Sequence, residues 1–240
     1  MPTAMITGAA IRVGRAIATE LAQAGYDLIL HAHRSHDALQ EISASVRALG
    51  RQVQTLHADL SSLTEVEKVV EAVTAKHAAL DLLVHNAALF EKRSFGEVAP
   101  ADFQRLHQLN VQAPFFLSQG LLPLLHKGHH PSIVHITDIM GERATAGYAH
   151  YGITKAALIH LTRSLAVELA PAIRVNGVSP GTVAFPEDFD EDIRQKILQR
   201  IPLKREGTPR DIARATLYFA QNEYVTGQLI AVDGGRNAVL

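Results

Sequence analysis

The sequence predicts a single α/β domain in which a doubly wound parallel sheet carries helices on both faces. Three observations lead there. Short apolar runs alternate with amphipathic helical patterns along all 240 residues, as they do when strands of a parallel sheet are joined by crossover helices. At 47% hydrophobic residues, a chain of this length buries one substantial core, and neither an internal repeat nor a low-complexity linker divides it. The first apolar run also ends in a glycine turn that opens directly into a helical pattern.

Thr3–Ile6 is the first strand-like run, closed by Thr7-Gly8. The helical pattern after it covers about 13–25, with Val13, Ile17, Leu21 and Ala24 on one face. Strand, glycine turn and helix N-terminus together aim backbone N–H groups at a phosphate. The spacing Gly8-x-x-x-Arg12-x-Gly14 is a glycine-poor form of such a loop. Asp27–His31 leads to a helix near 37–49, Gln52–His57 to one near 63–77, and Leu80–His85 to a long pattern over 101–127. Pro114 and Pro123 fall inside that pattern, so an irregularity is expected near Asn110, because proline removes a helical donor. Ser132–Thr137 precedes a helix over 150–170, and Ala172–Val178 precedes the stretch 182–200. A helix near 208–221 and the run Leu229–Val232 complete the chain. The 182–200 stretch, with Phe185-Pro-Glu-Asp-Phe-Asp-Glu-Asp192, is the least regular and reads as a substrate lid.

Composition narrows the function classes. Without cysteine there is no disulfide framework and no thiolate chemistry, which suits a reducing, cytoplasmic location. A net charge of −1 gives no basic field for nucleic acid, and no apolar run approaches a membrane span. Thirteen histidines raise the question of a metal, yet the densest cluster, His126-Lys-Gly-His129-His130, sits in a predicted loop without a nearby carboxylate. It reads as solvated, and no metal is expected. The acidic run Glu187–Asp192 lacks the glycine and spacing of a calcium loop; it reads as the start of a lid helix, where carboxylates favour the dipole.

Tyr151 and Lys155 carry the chemistry. At positions i and i+4 of a helix they point the same way, so the ammonium can sit beneath the phenol. A tyrosine with a pKa of about 10 is a reluctant proton donor near neutrality, and a fixed cation nearby is expected to lower that value. The pair stands in an ordered set: Thr7-Gly8 with Gly14, Asp59-Leu60 after the third strand, His85-Asn86-Ala87-Ala88 after the fourth, Asn110, Tyr151-x-x-x-Lys155 and Pro180-Gly181. On these motifs the whole chain resembles the short-chain dehydrogenase/reductase family. The resemblance implies a seven-stranded Rossmann-type sheet, a nicotinamide cofactor and a homo-oligomer, dimer or tetramer.

Two departures from the family's commonest pattern refine the expectation. Arg12 stands where glycine is usual, and Asp138, thirteen residues before Tyr151, stands where serine is usual. Both departures are found together in the pteridine reductases. Those enzymes also resemble this chain in His33-Arg34-Ser35 after the second strand and in Phe90, four residues after Asn86. Ala88 differs, standing where some relatives place a serine that contacts cofactor or pterin.

The second strand ends without a carboxylate before Asp37, so the ribose 2′-hydroxyl partner of an NAD site is missing. Arg34 can instead grip a 2′-phosphate through two N–H donors, with His33, Ser35 and Arg12 beside it. NADPH is therefore the expected cofactor, held by Gly8, Arg12, Val13, Gly14, His33, Arg34, Ser35, Asp59, Leu60, Asn86, Ala87, Tyr151, Lys155, Pro180 and Gly181. Tyr151 is the expected proton donor, tuned by Lys155 and assisted by Asp138, with Asn110 holding a water on the path to solvent. Phe90 is expected to stack a flat heterocycle against the nicotinamide, and Asp138, Tyr151 and Arg12 to complete the substrate contacts. The resulting expectation is reduction of a pterin or folate-type ring. The alternatives are a 3-oxoacyl-type carbonyl reductase of the same family and a non-catalytic NADPH sensor.

Overall fold

The computed structural model describes residues 1–185 and 190–239. Among them, seven strands form one wholly parallel sheet: β1 (Thr3–Ile6), β2 (Asp27–Ala32), β3 (Val53–His57), β4 (Leu82–His85), β5 (Ser132–Ile136), β6 (Arg174–Pro180) and β7 (Leu229–Val232). Their order is β3-β2-β1-β4-β5-β6-β7. The winding direction reverses between β1 and β4, and in open parallel sheets ligands bind outside the carboxyl ends of the strands at such a point.

Successive strand residues face opposite sides, so one sheet builds two cores. Ala4, Ile6, Leu28, Leu30, Leu82, Val84, Val134 and Ile136 point to one face. There they meet Ile17 and Leu21 of α1 (Arg12–Gln23), Leu39 and Ile42 of α2 (His36–Ala48), and Ile212 and Phe219 of a helix at Pro209–Gln221. Met5, Ile29, Leu83, Ile133 and Val175 point to the other, against Val66, Val69 and Val73 of α3 (Leu63–Thr74). Leu117, Leu121 and Leu125 complete that second core.

The long pattern over 101–127 is two helices with one wide turn between them. α4 (Pro100–His107) passes through a π turn at Gln108–Gln112 into α5 (Ala113–Leu125). Pro114 has no N–H to give the Asn110 carbonyl four residues back, and the Ala113 N–H reaches back five residues to Gln108. Next come α6 (Ala149–Glu168), α7 (Glu191–Gln199) and α8 (Pro209–Gln221). Residues 186–189 of the expected lid lie outside the described residues. The helix expected to open in the acidic run is α7, capped by Asp190, whose Oδ1 accepts from the Ile193 N–H at 2.9 Å, with Glu191 and Asp192 in its first turn. No described helix is long and apolar enough to cross a membrane.

Candidate active site

The glycine turn after β1 is pressed against the loop after β4. Gly8 has φ 64°, and a Cβ there would lie 3.0 Å from Ala87 Cα. A Cβ at Gly14 would lie 2.0 Å from the Gly8 carbonyl oxygen. Asn86 locks the two loops together, its Nδ2 donating to the carbonyls of Thr7 (3.0 Å) and Gly8 (2.9 Å). The Thr7 hydroxyl accepts from the N–H groups of Asn86 and Ala87, both at 3.0 Å. The close packing leaves a bare backbone cradle at the N-terminus of α1, which fits the pyrophosphate of a dinucleotide. Val13 lies in the first turn of that helix.

His31 escaped the sequence reading and belongs to this cradle. Its Nδ1 accepts from the Gly8 N–H at 3.3 Å, which leaves Nε2 to donate to the Ala58 carbonyl at 3.0 Å. Burial lowers its pKa to about 4, so the ring is neutral and holds both bonds at physiological pH. No pattern distinguished it from an ordinary strand residue.

At the end of β2, His33 and Arg34 are exposed and Ser35 occupies the N-cap position of α2 without a side-chain bond. Asp59 faces them, its Oδ1 3.9 Å from His33 Nδ1. Burial raises the Asp59 carboxyl, but hydrogen bonds from Ser61, with His33 and Arg34 adding their charge, bring the pKa below its usual value. Arg34 makes no ion pair among the described residues. These groups fit an adenosine 2′-phosphate. Leu60 is buried in the second core, so it lines the site through its backbone alone. Arg12 stands at the first residue of α1. It has φ 50°, which explains why glycine suits this position, and its guanidinium donates to the Ala184 carbonyl at 2.8 Å, fastening the segment after β6. Pro180 ends β6, and Gly181 is packed on Asp233, where a Cβ would lie 2.6 Å from that residue's Cβ.

The reactive centre lies at the ends of β5 and α6. Asp138 follows β5, and the turn Ile139–Gly141 lies directly on α6: a Cβ at Gly141 would be 2.8 Å from the Lys155 carbonyl carbon. This contact brings Asp138 to Tyr151. Each carboxyl oxygen has its own partner, Oδ1 accepting from the Met140 N–H at 2.8 Å and Oδ2 from Tyr151 Oη at 2.9 Å. Turn cap and site residue are the same side chain.

Lys155 is buried, with Nζ 5.8 Å from the Tyr151 ring centre and donating to the Ile136 carbonyl at 2.9 Å. The expected tuning of Tyr151 is reversed. Burial first, then the Asp138 charge and hydrogen bond, hold its pKa well above 10. Asp138 is itself pushed up by burial, against the Met140 bond and the Lys155 charge. Lys155 drops to about 8, because burial penalises its charge more than Asp138 supports it.

Asn110 is buried in the π turn. Its Oδ1 accepts from the Leu89 N–H at 2.9 Å, and its Nδ2 donates to the Leu89 carbonyl (3.0 Å) and Thr154 Oγ1 (3.1 Å). The amide thus pins the β4 loop to α6. Phe90 is 57% exposed, stacked on Tyr148 at 5.0 Å and edge-on to Tyr151 at 4.9 Å. Tyr148, which the motifs did not single out, therefore completes an aromatic corner around the Asp138–Tyr151 pair.

Comparison with known proteins agrees with this architecture. A family profile described as "Enoyl-(Acyl carrier protein) reductase" matches residues 8–237. A 3-oxoacyl-[acyl-carrier-protein] reductase FabG of Staphylococcus epidermidis is 30% identical over 238 residues, 97% of this chain and 98% of the relative. A 7alpha-hydroxysteroid dehydrogenase of Escherichia coli is 34% identical over 97% of this chain and 92% of the relative. A short chain dehydrogenase from Burkholderia cenocepacia, solved in complex with NADP, superposes with a TM-score of 0.92 at 30% identity, covering 98% of each chain.

Proposed function

The chain belongs to the short-chain dehydrogenase/reductase family, and from that premise we propose that it is an NADPH-dependent reductase of a dihydropterin or dihydrofolate-type ring. The observation that carries this reading is the 2.9 Å hydrogen bond from Tyr151 to Asp138, a carboxyl where the family usually has a serine hydroxyl. NADPH is favoured over NADH by Arg34 at the end of β2, by the missing carboxylate there, and by the NADP-bound structural relative.

When bound, NADPH supplies hydride, and the protein must place the substrate and deliver a proton. Of the two groups sharing the hydrogen bond, Asp138 is the better acid, since Tyr151 is held well above 10. Asp138 gives its proton to a ring nitrogen. The carboxylate left behind is steadied by the Tyr151 O–H at Oδ2, the Met140 N–H at Oδ1 and the Lys155 charge. Phe90 and Tyr148 offer an aromatic wall to a flat ring.

A second reading rests on the relatives. Their names are those of a 3-oxoacyl reductase and a hydroxysteroid dehydrogenase, which supports a 3-oxoacyl-type carbonyl reductase better than it supports a pterin reductase. What favours the first reading over it is the carboxyl at Asp138: besides donating when protonated, it can accept from the N–H and amino groups of a pterin, groups that a carbonyl substrate does not offer. Loss of NADPH absorbance with dihydropterins and 3-oxoacyl thioesters, run side by side, separates the readings. A kcat/KM at least tenfold higher for a dihydropterin supports the first. Turnover of thioesters alone replaces it with the second, and NADPH binding without turnover of either leaves the non-catalytic sensor.

A further inference from the structure

We infer that the cavity beside Asp138 receives a negatively charged arm of the substrate, a carboxylate or a phosphate, gripped by Arg143, Arg200, Lys204 and Arg236. The inference rests on the proposed reading, in that it seats the reacting ring at Asp138 and Tyr151. The cavity measures about 930 Å³, and Ile139 and Met140 form its wall next to those four cations. Met140 is the residue whose N–H bonds Asp138, so the cavity wall adjoins the turn that holds the acid.

Three separate segments build the cluster: the turn after β5 supplies Arg143, the end of α7 and the residues beyond it supply Arg200 and Lys204, and the turn after β7 supplies Arg236. The glycines after β7 bring the last two segments together. Gly234 has φ 66°, a Cβ there would lie 2.7 Å from Ile201 Cγ2, and its carbonyl accepts from the Leu203 N–H at 3.1 Å. Arg143 donates to the Arg236 carbonyl, and Arg236 to Thr182 Oγ1 at 2.7 Å.

Charge is left over. Arg15, Arg93, Arg105, Arg194, Arg205 and Arg210 all pair with carboxylates, whereas none of the four cations at the cavity has an ion pair among the described residues. The carboxylates near them are committed: Asp233 accepts from Gly235 and Asn237, and Asp138 from Met140 and Tyr151. Burial first, then the charges of Arg143 and Arg200 against the opposing pull of Asp138 and Asp233, depress the Arg236 pKa. A group of guanidinium and ammonium donors without ion pairs, lining one cavity next to the turn that holds Asp138, is a receptor for an anion.

The test uses Arg200→Gln with Lys204→Gln, two exposed side chains, and measures KM for dihydropterins with a neutral arm (dihydrobiopterin), a carboxylated arm (dihydrofolate) and a phosphorylated side chain. The inference expects KM to rise at least tenfold for one or both charged substrates, identifying carboxylate or phosphate, with KM for dihydrobiopterin and every kcat within twofold. Equal shifts for charged and neutral substrates, or no shift, overturn it. If no dihydropterin is turned over, the pterin reading falls, and acetoacetate against ethyl acetoacetate decides the charge question by the same criterion. Failure of that pair to be turned over or to be distinguished overturns the inference as well.

Discussion

Asp138 divides its carboxyl between two donors, and this explains how one residue can close a turn and also serve as the proposed acid of the site. Asp138→Ser keeps a cap but removes the acid; kcat for a dihydropterin is expected to fall at least tenfold while the NADPH Kd, read by fluorescence titration, changes less than threefold. Arg34→Ala tests the cofactor side: a lost bidentate phosphate grip should raise the NADPH KM about tenfold or more, roughly 1.4 kcal/mol, and leave the NADH KM unchanged. Tyr151, Lys155, Gly8 and Gly14 were legible because their chemistry depends on fixed spacing along one element. Their electrostatics were not. The i, i+4 spacing places the Lys155 charge near the phenol, but only depth of burial decides that desolvation and Asp138 outweigh it. His31 and Tyr148 were missed because each acts through a partner distant in sequence, and Thr7, though part of the glycine-turn motif, showed its bonds to the β4 loop only in the fold.

Lys155 also marks stability. Its folded pKa of about 8 lies below the usual 10.5, so between these values the unfolded chain binds a proton that the folded chain does not. Stability from this group therefore rises with pH across that window, by at most about 3 kcal/mol. Denaturant midpoints from pH 7.5 to 10.5 should climb more for the wild type than for Lys155→Met.

At the scale of elements, strand and helix identities followed from periodicity, while their ends followed from tertiary contacts. The run expected as Leu80–His85 pairs only over Leu82–His85, and Ala172–Val178 shifts to Arg174–Pro180 because β7 pairs with its far end. Pro114 foretold the irregularity at Asn110, since a missing donor is written in the sequence; that the outcome is a π turn aiming Asn110 at Leu89 is a matter of packing. Arg174 shows what no local pattern carries. Its guanidinium donates to the carbonyls of Phe219, Ala220 and Asn222 at the end of α8 and to that of His130. Arg174→Met leaves these partly buried acceptors without donors and should cost on the order of 3 kcal/mol in chemical denaturation.

For the whole molecule, buried neutral histidines set acid tolerance. His31 and His135 are depressed to about 4 and about 3, and His85 also lies well below 6.5, chiefly through burial. As pH falls below about 6.5 the unfolded chain takes up protons that these folded rings refuse, so stability is lost on the way to pH 4. His135→Gln, which can keep a bond to Thr162, should flatten that fall by about 1.4 kcal/mol per pH unit. The two-faced sheet was legible from composition and alternation, and the resemblance carried the number of strands, whereas their order came from the fold. The cationic cavity was not legible, because its members come from three segments that meet only when the chain has folded.

The central claim, that the proton given to the substrate leaves from Asp138, is tested most directly by the pH dependence of kcat for a dihydropterin in the wild type and in Asp138→Asn. An acid must be protonated to act, so wild-type kcat is expected to fall as pH rises through the elevated Asp138 pKa, and the variant, at a much lower rate, to lose that limb. The same limb persisting in Asp138→Asn, or a wild-type rate that does not fall as pH rises, contradicts the account.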